Sequence, residues 1–315
     1  MSRRLRVGLV GTGNWAEQVH GASAAAHPDV DLVGVWGRQP DRTEAVAAAL
    51  ATRALPSFAA LLGEVELLSF AVPPQVQATL VEQAAGRLVG VLLEKPTGLD
   101  VGTARRVLRA TARMRTAVLL TRSWEPQSRT WLDALAARAG WVSGRVRLVH
   151  ALGADVLEAS PWRAASGALW DVGPHALSLL EAVLGDVVQV RAAAAGPSGS
   201  VHLVLEHSAG SVSTAELCLR AVPSAAGTEI AFWGAAGLSG PPPAVGREDA
   251  VVAHGRALSS LLSEGPATGP DAAYGLHVTE VLTDAERALR GAGATAGRGL
   301  GRGRLVTASA PTYDR

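Results

Sequence analysis

One lysine stands among 29 basic side chains: Lys95, beside 28 arginines. It sits in Glu94-Lys95-Pro96, directly after the apolar run Leu88-Val89-Gly90-Val91-Leu92-Leu93. Arginine serves wherever only a surface cation is wanted. The exception therefore points to a site that needs a compact ammonium with three rotatable donors, able to shift its pKa when buried. A second constellation is Asp171 and His175, four residues apart in Gly167-Ala168-Leu169-Trp170-Asp171-Val172-Gly173-Pro174-His175. With Pro174 in the first turn of a helix beginning near Asp171 and running through Leu180, the two share a face. A proton carrier then stands beside a carboxylate.

A third element is Gly11-Thr12-Gly13-Asn14-Trp15-Ala16, a G-x-G-x-x-A turn between an apolar run (Leu5 to Val10) and a stretch of helical composition (Ala16 to Ala26). Strand, glycine turn, helix is the context a dinucleotide site requires. Gly11 permits the tight turn, Gly13 lets a pyrophosphate approach the backbone, and the helix N-terminus offers N–H donors. The following strand ends Trp36-Gly37-Arg38 without the carboxylate that usually holds the ribose hydroxyls of NAD. Arg38 can instead pair with a 2′-phosphate or lie over the adenine face, so NADP is expected over NAD.

These residues need a scaffold, and the chain reads as one. Apolar runs at Leu5–Val10, Asp31–Trp36, Leu67–Val72, Leu88–Leu93 and Thr116–Leu120 alternate with helical stretches at 16–26, 41–51, 75–85 and 101–113. Continuous apolar strands in βα alternation imply a parallel sheet covered on both faces. Beyond Thr121 the pattern changes. Trp131–Ala139 reads as a helix, then Gly144–Leu152, Val187–Ala193, Val201–Glu206, Val212–Leu219 and Glu229–Trp233 as strands separated by turns, which predicts an open, largely antiparallel sheet. Ala257–Leu262 and Asp271–Leu289 read as helices, the second able to pack back on the first domain. The expected fold is α/β: a doubly wound Rossmann domain (1–121), an α+β substrate-binding and oligomerisation domain (122–290), and a Gly/Ala/Arg-rich tail (291–315) with mobility to about residue 304.

Composition narrows the function. At 315 residues, 48% hydrophobic, with a net charge of +1, the chain has no basic field that would favour nucleic acid or an anionic membrane. Cys218 is the single cysteine, which excludes an intramolecular disulfide and a cysteine-cluster metal site. No apolar run approaches the ~18 residues of a membrane span. The expectation is a cytoplasmic protein acting on a small molecule, with no metal.

Together the Glu94-Lys95-Pro96 tripeptide, the glycine turn and the Ser166–His175 segment resemble the Gfo/Idh/MocA family of nicotinamide-dependent oxidoreductases. The resemblance extends to Pro161-Trp162-Arg163 and to Ile230–Leu238. It implies that Lys95 contacts the reacting oxygen and the nicotinamide ribose, that His175 is the general acid/base, and that Asp171 positions the substrate or the histidine. Trp162 and Arg163 become substrate or cofactor contacts, and Pro73 lines the nicotinamide end. The chain departs from the family in having Gln77 where His is frequent and Ser178 where Asp is frequent. The expected activity is hydride transfer between nicotinamide and a hydroxyl- or carbonyl-bearing carbon of a sugar, polyol or related metabolite. The rivals are a glycosidase or lyase that oxidises its substrate transiently with bound nicotinamide, and a non-catalytic ligand sensor. A homodimer or homotetramer through the C-terminal sheet is also implied.

Overall fold

The computed structural model describes residues 3–296 apart from 236, 264, 266 and 267. The first sheet comprises β1 (Leu5–Val10), β2 (Val30–Trp36), β3 (Arg53–Ala54), β4 (Leu67–Phe70), β5 (Gly90–Leu93) and β6 (Arg115–Val118). All its pairings are parallel, and the spatial order is β3-β2-β1-β4-β5-β6. β4 and β5 are buried along their whole length, which is why they read as unbroken apolar runs. The order reverses direction between β1 and β4. A crevice opens there at the carboxyl ends of the strands, where open α/β sheets bind ligands.

The helix after β1 opens with a π-helical turn, Ala16–Gly21, before α1 (Ala22–Ala26). Helices α2 (Pro40–Ala49), α3 (Phe58–Glu64), α4 (Pro74–Ala84) and α5 (Val101–Ala110) complete the crossovers. The sequence reading misses β3 and α3, both too short to establish a period. The Asp100 carboxylate caps α5 by accepting from the Thr103 N–H at 2.8 Å.

After α6 (Thr121–Trp124) and α7 (Pro126–Ala136) comes β7 (Trp141–Val149), then α8 (Ala154–Glu158) and the long α9 (Pro161–Leu184). The second sheet adds β8 (Val187–Ala195), β9 (Val201–His207), β10 (Val212–Cys218), β11 (Gly227–Gly234) and β12 (Gly237–Leu238) in the order β12-β11-β7-β10-β9-β8. It is antiparallel except for the β7–β10 pair. β9 alternates buried Val201, Leu203 and Leu205 with outward residues, the pattern of a sheet packed on one face only. Leu177 and Leu180 of α9 and Leu282 of the last helix lie in that core.

Two helices depart from expectation. α9 starts at Pro161, not near Asp171, and is broken at Gly167, whose φ of 68° only glycine adopts without strain. Pro174 is therefore inside a helical run and not in its first turn. α10 (Arg247–Leu262) is longer than the predicted stretch, and it packs Ala253, Ala257, Leu258 and Leu261 against Val7, Leu67, Leu92 and Leu119 of the first domain. The last helix, α11 (Ala272–Ala296), passes the expected end at Leu289 and packs on α5 and on the second sheet. Tyr274 Oη and His277 Nε2 tie it to the Glu181 carboxylate of α9 at 2.5 and 2.6 Å. The expected mobile tail lies, beyond residue 296, outside the described residues.

Candidate active site

Gly11, at φ 129°, forms the turn after β1; a Cβ there would stand 2.3 Å from the Ala71 carbonyl oxygen. Gly13 is exposed, and a Cβ on it would meet nothing within 4 Å, so open space lies over the backbone there. Asn14 and Trp15 are exposed beside it, and Ala16 is buried where the helix begins. Gly37 backs this loop so closely that a Cβ would be 2.6 Å from Thr12 Cγ2. That contact excludes the acidic side chain from position 37 and leaves the next residue, the exposed Arg38, at the mouth of the β2 end. These residues fit a dinucleotide: a glycine turn, an unobstructed backbone at Gly13 and N–H groups at a helix start.

Across the crevice, β5 ends in Glu94 and Lys95. Gln77 of α4, fully buried, grips the Glu94 backbone from both sides, donating from Nε2 to its carbonyl at 2.9 Å and accepting from its N–H at 2.8 Å. The amide in place of the family's frequent histidine thus acts as a clamp on the tripeptide. The Glu94 carboxylate has three partners: Oε1 accepts from Trp15 Nε1 at 2.7 Å and pairs with His20 Nε2 at 3.1 Å, while Oε2 accepts from the Lys95 N–H at 3.1 Å. Trp15 therefore bridges the glycine turn to the lysine strand.

Behind Glu94 lies a buried chain that the sequence did not reveal. His20 Nδ1 is 2.8 Å from Ser69 Oγ, which is 2.9 Å from His254 Nε2. A carboxylate only accepts, so His20 donates from Nε2. With one proton per ring, its Nδ1 accepts from Ser69, whose oxygen accepts from His254. His254 Nδ1 is then a buried atom with no partner, and burial holds this imidazole well below its ordinary pKa.

Lys95 Nζ donates to Asp171 twice, at 2.7 Å to its backbone carbonyl and 2.8 Å to Oδ1. Pro174, which has no N–H, leaves the Trp170 carbonyl four residues back without its helical donor, in the turn beside the Asp171 carbonyl. Arg163 Nε donates to Asp171 Oδ2 at 2.8 Å, so both carboxylate oxygens are held by cations. The guanidinium lies over Trp162, with Cζ 5.2 Å from the ring centroid. Burial pushes the Asp171 carboxyl up, but Lys95 and Arg163 outweigh it and hold the group well below the usual carboxylate range.

His175, one turn further along α9, is pushed down to about 3 by burial and by the positive charge of Lys95, with Asp171 opposing. Its imidazole is neutral at neutral pH. His150, just past the end of β7, was not singled out from sequence because no motif marks it. It faces the same charges: burial lowers its pKa, Asp171 raises it and Lys95 lowers it further. Arg122, also lowered by burial, lies close enough to affect His175. Pro73 is at the N-terminus of α4, beside the clamp residue Gln77. The structure thus brings Lys95, Asp171, Arg163 and Trp162 into one contact network with His175 beside it, and joins Trp15 to Glu94. Arg38 is exposed and forms no hydrogen bond or ion pair with any of them.

A Rossmann domain whose own lysine, beside the glycine turn, is held by an Asp–Arg pair from an open-sheet domain defines a dinucleotide-dependent oxidoreductase architecture. Residues 5–121 match the Gfo/Idh/MocA oxidoreductase family with NAD-binding Rossmann fold, and residues 138–238 match the Gfo/Idh/MocA C-terminal domain. The chain belongs to the Gfo/Idh/MocA family of NAD(P)-binding oxidoreductases. Among curated proteins it is 36% identical over 100 residues to UDP-N-acetylglucosamine 3-dehydrogenase of Acidithiobacillus ferrooxidans, covering 32% of this chain and 31% of that one. It is also 36% identical over 121 residues to dTDP-3,4-didehydro-2,6-dideoxy-α-D-glucose 3-reductase of Streptomyces antibioticus, covering 38% and 37%. These alignments span about a third of each relative. The WlbA dehydrogenase of Bordetella pertussis, solved with NADH and UDP-GlcNAcA, shares the fold with a TM-score of 0.79 at 20% identity, over 92% of this chain and 96% of that one.

Proposed function

We propose that the protein is an NAD(P)-dependent dehydrogenase acting on a hydroxyl or carbonyl carbon of a sugar, polyol or sugar derivative. The observation that carries this reading is the donor count at Lys95. Its ammonium has three N–H groups, and Asp171 takes two. The third is left for an oxygen placed in the crevice beside a neutral His175. The bound dinucleotide supplies the hydride acceptor or donor. In oxidation, His175 takes the hydroxyl proton while Lys95 stabilises the oxygen that loses it; in reduction the proton returns from His175. Asp171 and Arg163 hold the ammonium in place, so Asp171 acts as a positioning residue. Trp162, packed on Arg163, walls the substrate side.

NADP is the expected cofactor, because Gly37 leaves no acid for the adenosine ribose and Arg38 is exposed at the strand end. The division of the chain is placed near residue 121, with α10 returned to the first sheet. The open face of the second sheet carries the cross-strand pairs Arg147–Glu216 and Arg145–Glu229. Association into a homodimer or homotetramer through that face, in the cytoplasm, completes the reading. The UDP- and dTDP-sugar substrates named for the relatives make nucleotide sugars the first compounds to try.

The test is incubation with NAD⁺ or NADP⁺ and a panel of sugars, polyols and nucleotide sugars, following nicotinamide absorbance and product together. Stoichiometric cofactor reduction with a keto product is expected. Product without net cofactor change would assign a transient-oxidation hydrolase or lyase, and ligand binding without product a sensor; either outcome overturns the proposal.

A further inference from the structure

Next to the Lys95–Asp171 pair is a cavity of about 230 Å³ whose lining includes Arg163, Gly167, Ser198, Gly199 and Arg220. At ~30 Å³ per molecule it has room for roughly seven waters, and so for a charged substituent with part of its solvation. No carboxylate lines it. Arg163 uses only Nε on Asp171, and its two terminal nitrogens have no partner among the described residues. Stacking on Trp162 and the bond to Asp171 fix the plane of this guanidinium, so its free edge is preorganised.

Arg220, just beyond β10, is held through its backbone by a bridge to Ala151, while its side chain makes no ion pair or hydrogen bond among the described residues. The chain elsewhere pairs its arginines on the sheet surface with acids, as Arg145 and Arg147 show. Gly167 opens the wall, since a Cβ there would meet nothing within 4 Å. On the other side Ser198 adopts φ 58° and Gly199 φ 69°, a turn that Cys218 Sγ touches at the Ser198 carbonyl, 3.9 Å away. The lining therefore carries two cations, Arg163 and the exposed Arg220, and Arg163 ties it to Asp171.

We infer that this cavity is an anion subsite: Arg163 and Arg220 bind a carboxylate or phosphoryl group carried by the substrate, and so set which sugar is presented to Lys95. This deepens the dehydrogenase reading and rests on it. Charged forks select planar or tetrahedral oxyanions, and neutral hydroxyls gain less from them. Arg220 is the residue to change, because Arg163 also holds Asp171.

The experiment measures binding of D-glucuronate, D-glucose 1-phosphate and D-glucose to wild type, Arg220→Gln and Arg220→Lys by calorimetry with NADPH bound, and screens the same sugars for NADP⁺ reduction. At least one anion should bind about tenfold or more tighter than glucose in the wild type. That preference should collapse in Arg220→Gln, recover in part in Arg220→Lys and weaken with added salt. Preference for glucuronate alone identifies a carboxylate site, and for the phosphate ester alone a phosphoryl site. Equal affinity for glucose and both anions, absence of saturable anion binding, or a preference unchanged in Arg220→Gln overturns the subsite. If neutral and anionic sugars alike are oxidised at rates that Arg220→Gln does not alter, the dehydrogenase reading stands and the subsite falls. If anion binding is lost in the variant but no sugar is ever oxidised, the subsite stands and the dehydrogenase reading falls.

Discussion

Lys95 sits at the junction of two demands. It must be held rigidly, which Asp171 does through two oxygens, and it must keep one donor free. Lys95→Met removes the donor and leaves Asp171 with Arg163 as its remaining partner. Turnover should fall by about 10²-fold or more, the effect of losing an oxyanion-type donor, while dinucleotide binding should persist, the proposed pyrophosphate site being the Gly11–Gly13 backbone. Lys95→Arg should recover little, since a planar fork cannot keep both Asp171 bonds and the free donor. Steady-state rates alongside a fluorescence titration of cofactor check this, and wild-type turnover in the methionine variant would remove Lys95 from the reaction. His175→Asn should lose roughly 10²–10⁴-fold. As a base His175 must be neutral, and a pKa pushed down to about 3 keeps it neutral far below pH 7. The oxidative kcat/KM of the wild type should therefore stay level from pH 7 to about 5, and an acid limb near the ordinary histidine value would refute the depressed pKa.

At the scale of elements, the buried His20–Ser69–His254 chain joins α10 to the strand that carries Lys95. His254 is depressed by burial, so the unfolded chain takes up its proton near pH 6.5 while the folded one does not. Stability is complete above that pH and is lost as the pH falls below it, by about 1.4 kcal/mol per pH unit for each such histidine. His175, also depressed, adds to the same slope. Urea denaturation between pH 7 and 5 should show this loss, with a shallower dependence in His254→Gln; an unchanged slope would mean that residue 254 is not the group. The break in α9 makes a second expectation. Gly167→Ala meets no steric contact, so its cost is backbone strain alone, about 1–3 kcal/mol at φ 68° and ψ −164°. If the break positions Arg163 toward Asp171, the variant should lose activity beyond what that destabilisation explains.

For the whole molecule, the proposed cofactor choice rests on the carboxyl end of β2, away from the chemistry. A ligand at 100 times its Kd stabilises the fold by about 2.7 kcal/mol, so thermal shift reports affinity directly. NADPH should raise the melting temperature more than NADH at equal concentration, and Arg38→Ala should abolish that difference by removing a contact of about 1.5–3 kcal/mol. A larger shift with NADH in the wild type would reverse the cofactor assignment. Removing Arg38 should leave the Lys95–Asp171 geometry untouched, because the two lie at opposite ends of the crevice. Activity at saturating cofactor should thus stay near wild type.

What the chain reveals on its own is whatever local order carries. The βα alternation, the glycine turn after β1, the isolated lysine of Glu94-Lys95-Pro96 and the pairing of Asp171 with His175 are all contiguous, and periodicity or spacing makes them legible. The dinucleotide domain and most of the strands follow from such signals. The tertiary structure decided the contacts between residues far apart in the chain: Lys95 with Asp171, 76 positions on, Ser69 with His254, and Gln77 with Glu94. No local pattern encodes these, because each requires two elements to pack first. The same reason hid the first part of α10, before Ala257, whose apolar face has meaning only against the first sheet. It also hid the start of α9, where Pro174 reads locally as a helix beginning but Gly167 alone marks the break. His150 and Arg220 bear no motif either, and only the ends of β7 and β10 bring them to the site.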